Sequence, residues 1–168
     1  MVGMDAEGQG KSGSDTLDSM NKAFCKEPEQ SGRPLCPRCG AEGQVVAEET
    51  LRAHLSAADA ETLAEPVAWC DTESCPVAYF DTLERTIGID RATGIHWPKD
   101  PAGALCACHG LTCEDVDADL AEGEPKRVRN IVRRAGEPGA ECALRSADGR
   151  SCVTRVQRLY VRRLSGGR

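Results

Sequence analysis

Cys36-Pro-Arg-Cys39-Gly40 and, after 29 intervening residues, Cys70-Asp-Thr-Glu-Ser-Cys75 decide how the first half of this chain folds. Two residues between Cys36 and Cys39 let both sulfurs converge on one ion, and Gly40 permits the turn that follows. The four-residue gap between Cys70 and Cys75 also falls in the structural-metal range. Four thiolates on a tetrahedral ion leave no open coordination position, so a structural role follows from the closed shell. Geometry alone does not choose zinc over iron.

Working outward, Val67-Ala-Trp-Cys70 and Val77-Ala-Tyr-Phe80 read as two strands joined at the second cysteine turn. Val45 and Val46 are β-prone. Thr50 to Leu63 reads as helical, with Leu51, Leu55 and Leu63 near one face and Thr50 and Ser56 available as caps. Thr86–Ile89 and Gly94–Trp97 are expected to extend the sheet, and Pro98–Gly103 is expected to be a linker. This is a small zinc-ribbon-like β/α module, bounded at 34–104, with Cys36, Cys39, Cys70 and Cys75 as the metal ligands. His54 and His96 are not expected to replace any of them.

Residues 105–168 read as a helical module. Thr112 is expected to cap a helix from Cys113 to about Ala121, with Asp115 as its box-like partner. Pro125 opens a second helix that Gly136 ends, and a third runs from Cys152 to about Leu164. Residues 1–33 are rich in Gly, Ser, Asp, Glu, Gln and Lys and are expected to be disordered. Cys25 lies there and is expected to be a free thiol. The fold class is therefore α+β, a small sheet module followed by helices.

Composition explains the need for staples. The chain has 168 residues and 10 cysteines, but only 4% aromatic residues, against 17 glycines and 9 prolines, so one deep core is hard to build. The opening residues lack the basic and apolar regions of a secretory signal, and no apolar run is long enough to span a membrane. A cytoplasmic chain keeps its thiols reduced, so clustered cysteines there read as metal ligands; export would favour disulfides instead.

The second cysteine set is Cys106-Ala-Cys108, then Cys142 and Cys152. Cys106 and Cys108 can share one iron of a cluster, and Cys142 and Cys152 the other. Amides of the Gly110 turn and the next helix start are expected to point at the cluster and stabilise its negative charge. Cys113 sits at that helix start, where the dipole lowers a thiol pKa, although a partly buried apolar role suits a free cysteine better. His109 is expected at the surface.

The run Cys106-x-Cys108-x-Gly110-x-Thr112-x-x-Asp115-Val116 resembles the opening of the bacterioferritin-associated-ferredoxin-like (BFD-like) [2Fe-2S] fold. The nine residues between Cys142 and Cys152 depart from the C-x-x-C of that family. With the preceding four cysteines and the Trp69-Cys70…Val77-x-Tyr79-Phe80 strand pair, the order of eight cysteines resembles the amino-terminal domain of the CopZ family of copper chaperones. The resemblance covers about residues 34–160. It implies a [2Fe-2S] cluster on Cys106, Cys108, Cys142 and Cys152, Zn2+ on the earlier four, and copper handling in which the cluster reduces Cu(II) to Cu(I). Residues 1–168 contain no Met-x-Cys-x-x-Cys loop of a copper-carrying domain, so Cu(I) delivery is not expected of them alone, and mercury or iron remain alternatives as cargo.

Net charge is −6, unevenly spread: residues 123–168 carry 12 basic and 4 acidic side chains, residues 1–122 carry 9 and 23. A basic tail beside an acidic body suits an acidic protein partner or a solvated helical face. Nucleic acid is not an expected partner, because the chain is acidic overall and poor in aromatics for base stacking. An enzyme is not expected either: no Ser/His/Asp arrangement, phosphate-binding glycine loop or open metal site stands out. The expected function is a soluble electron carrier serving a copper-transfer or redox partner, and the alternative is a thiolate soft-metal binder without a redox role.

Overall fold

The computed structural model describes residues 33–166; Cys25 and nearly all of the tail expected to be disordered lie outside them. From Arg33 onward the chain forms one compact unit. Four antiparallel strands run in the order β1 (Gln44–Val45), β2 (Val67–Trp69), β3 (Val77–Asp81) and β4 (Thr86–Gly88). The central strands are buried throughout, which is why they read as continuous apolar runs rather than alternating ones.

Alternation still separates the two faces. The register partners Ala68 and Phe80 pack with Cys36, Cys70 and Cys75, while the partners Trp69 and Tyr79 pack into the opposite core with Val46, Leu51, Leu55 and Ile87. The β3–β4 hairpin closes on Asp81, whose buried carboxylate accepts from the amides of Ala64, Leu83 and Arg85.

The helical stretch expected over Thr50–Leu63 is two helices, α1 (Glu48–His54) and α2 (Ala57–Glu61). Leu55 is extended, and the Ser56 hydroxyl accepts from the Asp59 amide, so the serine caps a new helix instead of continuing the old one. Gly94–Trp97 adds no strand to the sheet. His96 in that segment is buried, and its ring hydrogen-bonds the Trp97 carbonyl and the Arg155 side chain.

The second half follows expectation closely. Thr112 and Asp115 form a reciprocal capping box at the start of α3 (Cys113–Glu122), and Gly123 ends it in the left-handed conformation. In α4 (Lys126–Ala135), Pro125 stands at the N-cap without a side-chain hydrogen bond. Asp119, reaching across from α3, accepts instead from the amides of Arg127 and Val128 at 3.1 and 2.9 Å. A short helix α5 (Cys142–Arg145), not foreseen, precedes α6 (Val153–Leu164). Helices α3, α4 and α6 pack around Leu105, Leu111, Val116, Val128, Ile131, Val156 and Leu159. The α+β class holds, with a small antiparallel sheet followed by helices. Among the described residues no helix is long and apolar enough to cross a membrane.

Candidate metal centres

The first tetrad is assembled by two turns laid against β3. Cys36 donates its amide to Ala41, and Gly40, at φ +71°, donates to Cys36, which folds the knuckle tightly. Gly43 then passes so close to β3 that a Cβ there would fall on the Phe80 ring. Cys70 is held by its amide bond to Ala78 and Cys75 by its bond to Thr72. All four sulfurs come within 4.8 Å of one another. The closest pairs are Cys39–Cys70 at 3.6 Å and Cys36–Cys75 at 3.9 Å. A tetrahedral ion with metal–sulfur bonds of ~2.3 Å demands sulfur separations of about 3.8 Å. The donor set fits zinc.

Its electrostatics are uneven. Cys36, Cys70 and Cys75 are buried and Cys39 is exposed. The Thr72 hydroxyl, 3.3 Å from the Cys39 sulfur, helps bring that thiol down to about 6. Burial pushes Cys70 up to about 12 and also raises Cys36. A cation on all four must displace the protons that burial retains.

Lys99 was not singled out by sequence reasoning. It is buried, its ammonium donates to the carbonyls of Thr72 and Cys75 at 2.8 and 2.7 Å, and it lies over the Trp69 ring. The flanking prolines and Asp100 made it look like linker. A buried cation behind a thiolate knuckle offsets the negative charge of the ligands.

The second set lines one cavity of 430 Å³, where Cys106, Cys108, Cys142 and Cys152 meet. The turn after Cys106 is closed by the Gly110 amide bonding to the Cys106 carbonyl, with Gly110 at φ +65°. Among the described residues, only Cys36, Cys39, Cys70 and Cys75 bring three or more ligand atoms within 4.8 Å, so the second four are spread more widely than one tetrahedral ion allows.

Across the cavity the Cys152 side chain brings Cys106 down to about 6, and burial pushes Cys108 up to about 12. Cys152 is raised, first by Cys106 and then by burial.

The Thr112–Asp115 box stands at the α3 start, and beside the four cysteines the cavity is lined by His109, Arg133, Arg134 and Arg145. Cys113 does not line it; the thiol packs into the helical core, where burial raises its pKa rather than the helix dipole lowering it. His109 is exposed as expected. His54 and His96 lie outside both tetrads: the His54 ring bonds the Thr93 carbonyl at 2.8 Å, and the His96 ring lies 5.4 Å from that of Trp69.

With this geometry in place, comparison with known proteins gives a consistent picture. Residues 33–92 match the zf_CopZ family, described as a zinc binding domain. The chain is 29% identical over 126 residues to the copper chaperone CopZ of Archaeoglobus fulgidus, covering 74% of this chain and 60% of that protein. It thus spans less than two thirds of its curated relative. The X-ray structure of the Archaeoglobus fulgidus CopZ N-terminal domain superposes with a TM-score of 0.63 at 21% identity, over 75% of this chain and 97% of that one. Residues 33–92 are a zinc-binding domain of the CopZ type, and the chain is a homologue of Archaeoglobus CopZ with the fold of its N-terminal domain.

Proposed function

We propose that the protein is a two-centre electron carrier in copper handling, with zinc on Cys36, Cys39, Cys70 and Cys75 and a [2Fe-2S] cluster on Cys106, Cys108, Cys142 and Cys152. The observation that carries this reading is the second tetrad: four thiols around one cavity, too widely spread for a single tetrahedral ion. Four cysteine thiolates are the ligand set of a binuclear cluster. Such a cluster, when bound, supplies one-electron chemistry. The chain's own contribution is to hold the four sulfurs and to place Arg133, Arg134 and Arg145 at the cavity wall, where positive charge favours an anionic group.

Copper enters through the relative, which is named a copper chaperone. A cluster held by Cys106, Cys108, Cys142 and Cys152 would supply the single electron by which Cu(II) becomes Cu(I), with a cellular reductant as the source of that electron. The protein is then cytoplasmic, works with a copper-transfer or redox partner, and turns over no organic substrate. The domains follow the metals, 34–104 for zinc and 105–168 for iron.

Anaerobically purified protein should be brown, hold two irons and two acid-labile sulfides beside one zinc per chain, and give an electron paramagnetic resonance signal after dithionite. Colourless protein with zinc alone overturns the reading. The alternative, a thiolate soft-metal binder without redox function, predicts tight Cu(I) binding by iron-free protein and no oxidation of a reduced centre by Cu(II).

A further inference from the structure

The loop from Cys142 to Cys152 does not cross open space; the zinc-binding half holds it. Ala147, at its middle, is fully buried in the core of Trp69, Tyr79, Leu51 and Leu55. The Tyr79 hydroxyl donates to the Ala147 carbonyl at 2.6 Å, and the Thr50 hydroxyl donates to the Ala143 carbonyl at 2.8 Å. Gly149 passes so near Thr50 that a Cβ would sit 3.2 Å from its hydroxyl.

Asp148, which follows Ala147, joins a buried polar network. The Arg155 guanidinium donates to Asp148 at 2.6 Å, to His96 Nε2 at 2.9 Å and to the Leu105 carbonyl at 3.1 Å. Leu105 precedes Cys106, and His96 lies against Trp69. Trp69 and Tyr79 are register partners on β2 and β3, the two strands that the Cys70–Cys75 turn joins. A continuous path of packed and hydrogen-bonded groups therefore runs from the first tetrad to the segments bearing Cys106, Cys142 and Cys152.

We propose that the zinc half is the positioning element of the second tetrad. Tyr79 and Thr50, with the His96–Asp148–Arg155 network, convey the integrity of the Cys36/Cys39/Cys70/Cys75 site to the spacing of the second four thiols. Losing the first metal loosens the β2–β3 turn, withdraws the Tyr79 hydroxyl from Ala147, and lets Cys142 and Cys152 separate from Cys106 and Cys108. The inference rests on the two-centre reading for its consequence, iron retention, but its geometric content concerns the thiols alone.

The test uses full-length protein in two arms. In the first, iron-free protein is alkylated with iodoacetamide, and modification of Cys142 and Cys152 is followed by peptide mass spectrometry. Zinc-loaded Tyr79→Phe and Thr50→Val should keep wild-type zinc content and circular dichroism yet react about fivefold faster at those cysteines, the factor that one net hydrogen bond represents. Zinc-stripped wild type should react at least as fast, and Thr50→Ser, which keeps the hydroxyl, should restore the slow rate. In the second arm, the variants should show an altered paramagnetic signal and faster iron loss after reconstitution.

Wild-type alkylation rates in zinc-stripped protein and in both variants overturn the inference. A wild type that takes up no iron overturns the two-centre reading instead, and the first arm still decides this one.

Discussion

The Lys99 ammonium lies 2.7 Å from the Cys75 carbonyl, buried beneath the second zinc-site turn. It satisfies two carbonyls of that turn and brings a positive charge to a site of converging thiolates. Lys99→Met keeps the length of the side chain and removes both hydrogen bonds. It should destabilise the zinc-loaded protein by about 2 kcal/mol in urea unfolding. Zinc transfer to a colorimetric chelator should quicken about tenfold, the lower end of what outer-shell partners contribute to metal affinity. Unchanged transfer with lowered stability would make Lys99 a fold residue alone.

Asp119 carries the start of α4 in place of Pro125. Burial pushes its carboxyl up, but the amides of Val128 and Arg127 and the Arg127 guanidinium outweigh that and hold it below the usual range. A depressed carboxyl contributes stability that is fully present above its unfolded pKa of about 4. That contribution is lost as pH falls through the lower folded value. Asp119→Asn should therefore cost about 2 kcal/mol at pH 7. The gap from wild type should narrow on acidification, read by urea midpoints across the acid range.

Gly43 is required by contact rather than by conformation. A methyl group there meets the Phe80 ring and sits 2.8 Å from the Ala68 Cβ. Gly43→Ala should destabilise by about 2 kcal/mol through overpacking. Adding Phe80→Leu to it should cost less than the two single changes together, because the smaller side chain vacates the space the methyl needs. A double-mutant cycle by thermal unfolding checks the coupling.

Local features were the most legible. The Thr112–Asp115 box, the Gly136 stop and the strand pair around Cys70 and Cys75 all depend on neighbours within a few positions, and all stand where the spacing puts them. The convergence of the first four sulfurs was equally readable, since knuckle spacing constrains it directly. The break at Leu55 was half legible: Ser56 was available as a cap, but a serine can also continue a helix, and tertiary packing chose the cap. The buried polar contacts of Lys99, the Tyr79 hydroxyl and Asp148 escaped notice for another reason. Their partners Cys75, Ala147 and His96 are 24, 68 and 52 positions away, and nothing local marks a lysine as buried or a tyrosine hydroxyl as bonded. The cationic wall of the second cavity was missed because Arg133, Arg134 and Arg145 are separated from Cys106 and Cys108 along the chain and read only as part of a basic tail.

One sulfur of the first tetrad, Cys39, faces solvent while the other three are enclosed. Ligand exchange at that centre consequently has a direction. An incoming thiol or oxidant meets Cys39 before any other ligand, and the ion departs through the same door, so the rate of demetallation is governed at a single residue while the remaining three govern how firmly the ion is kept.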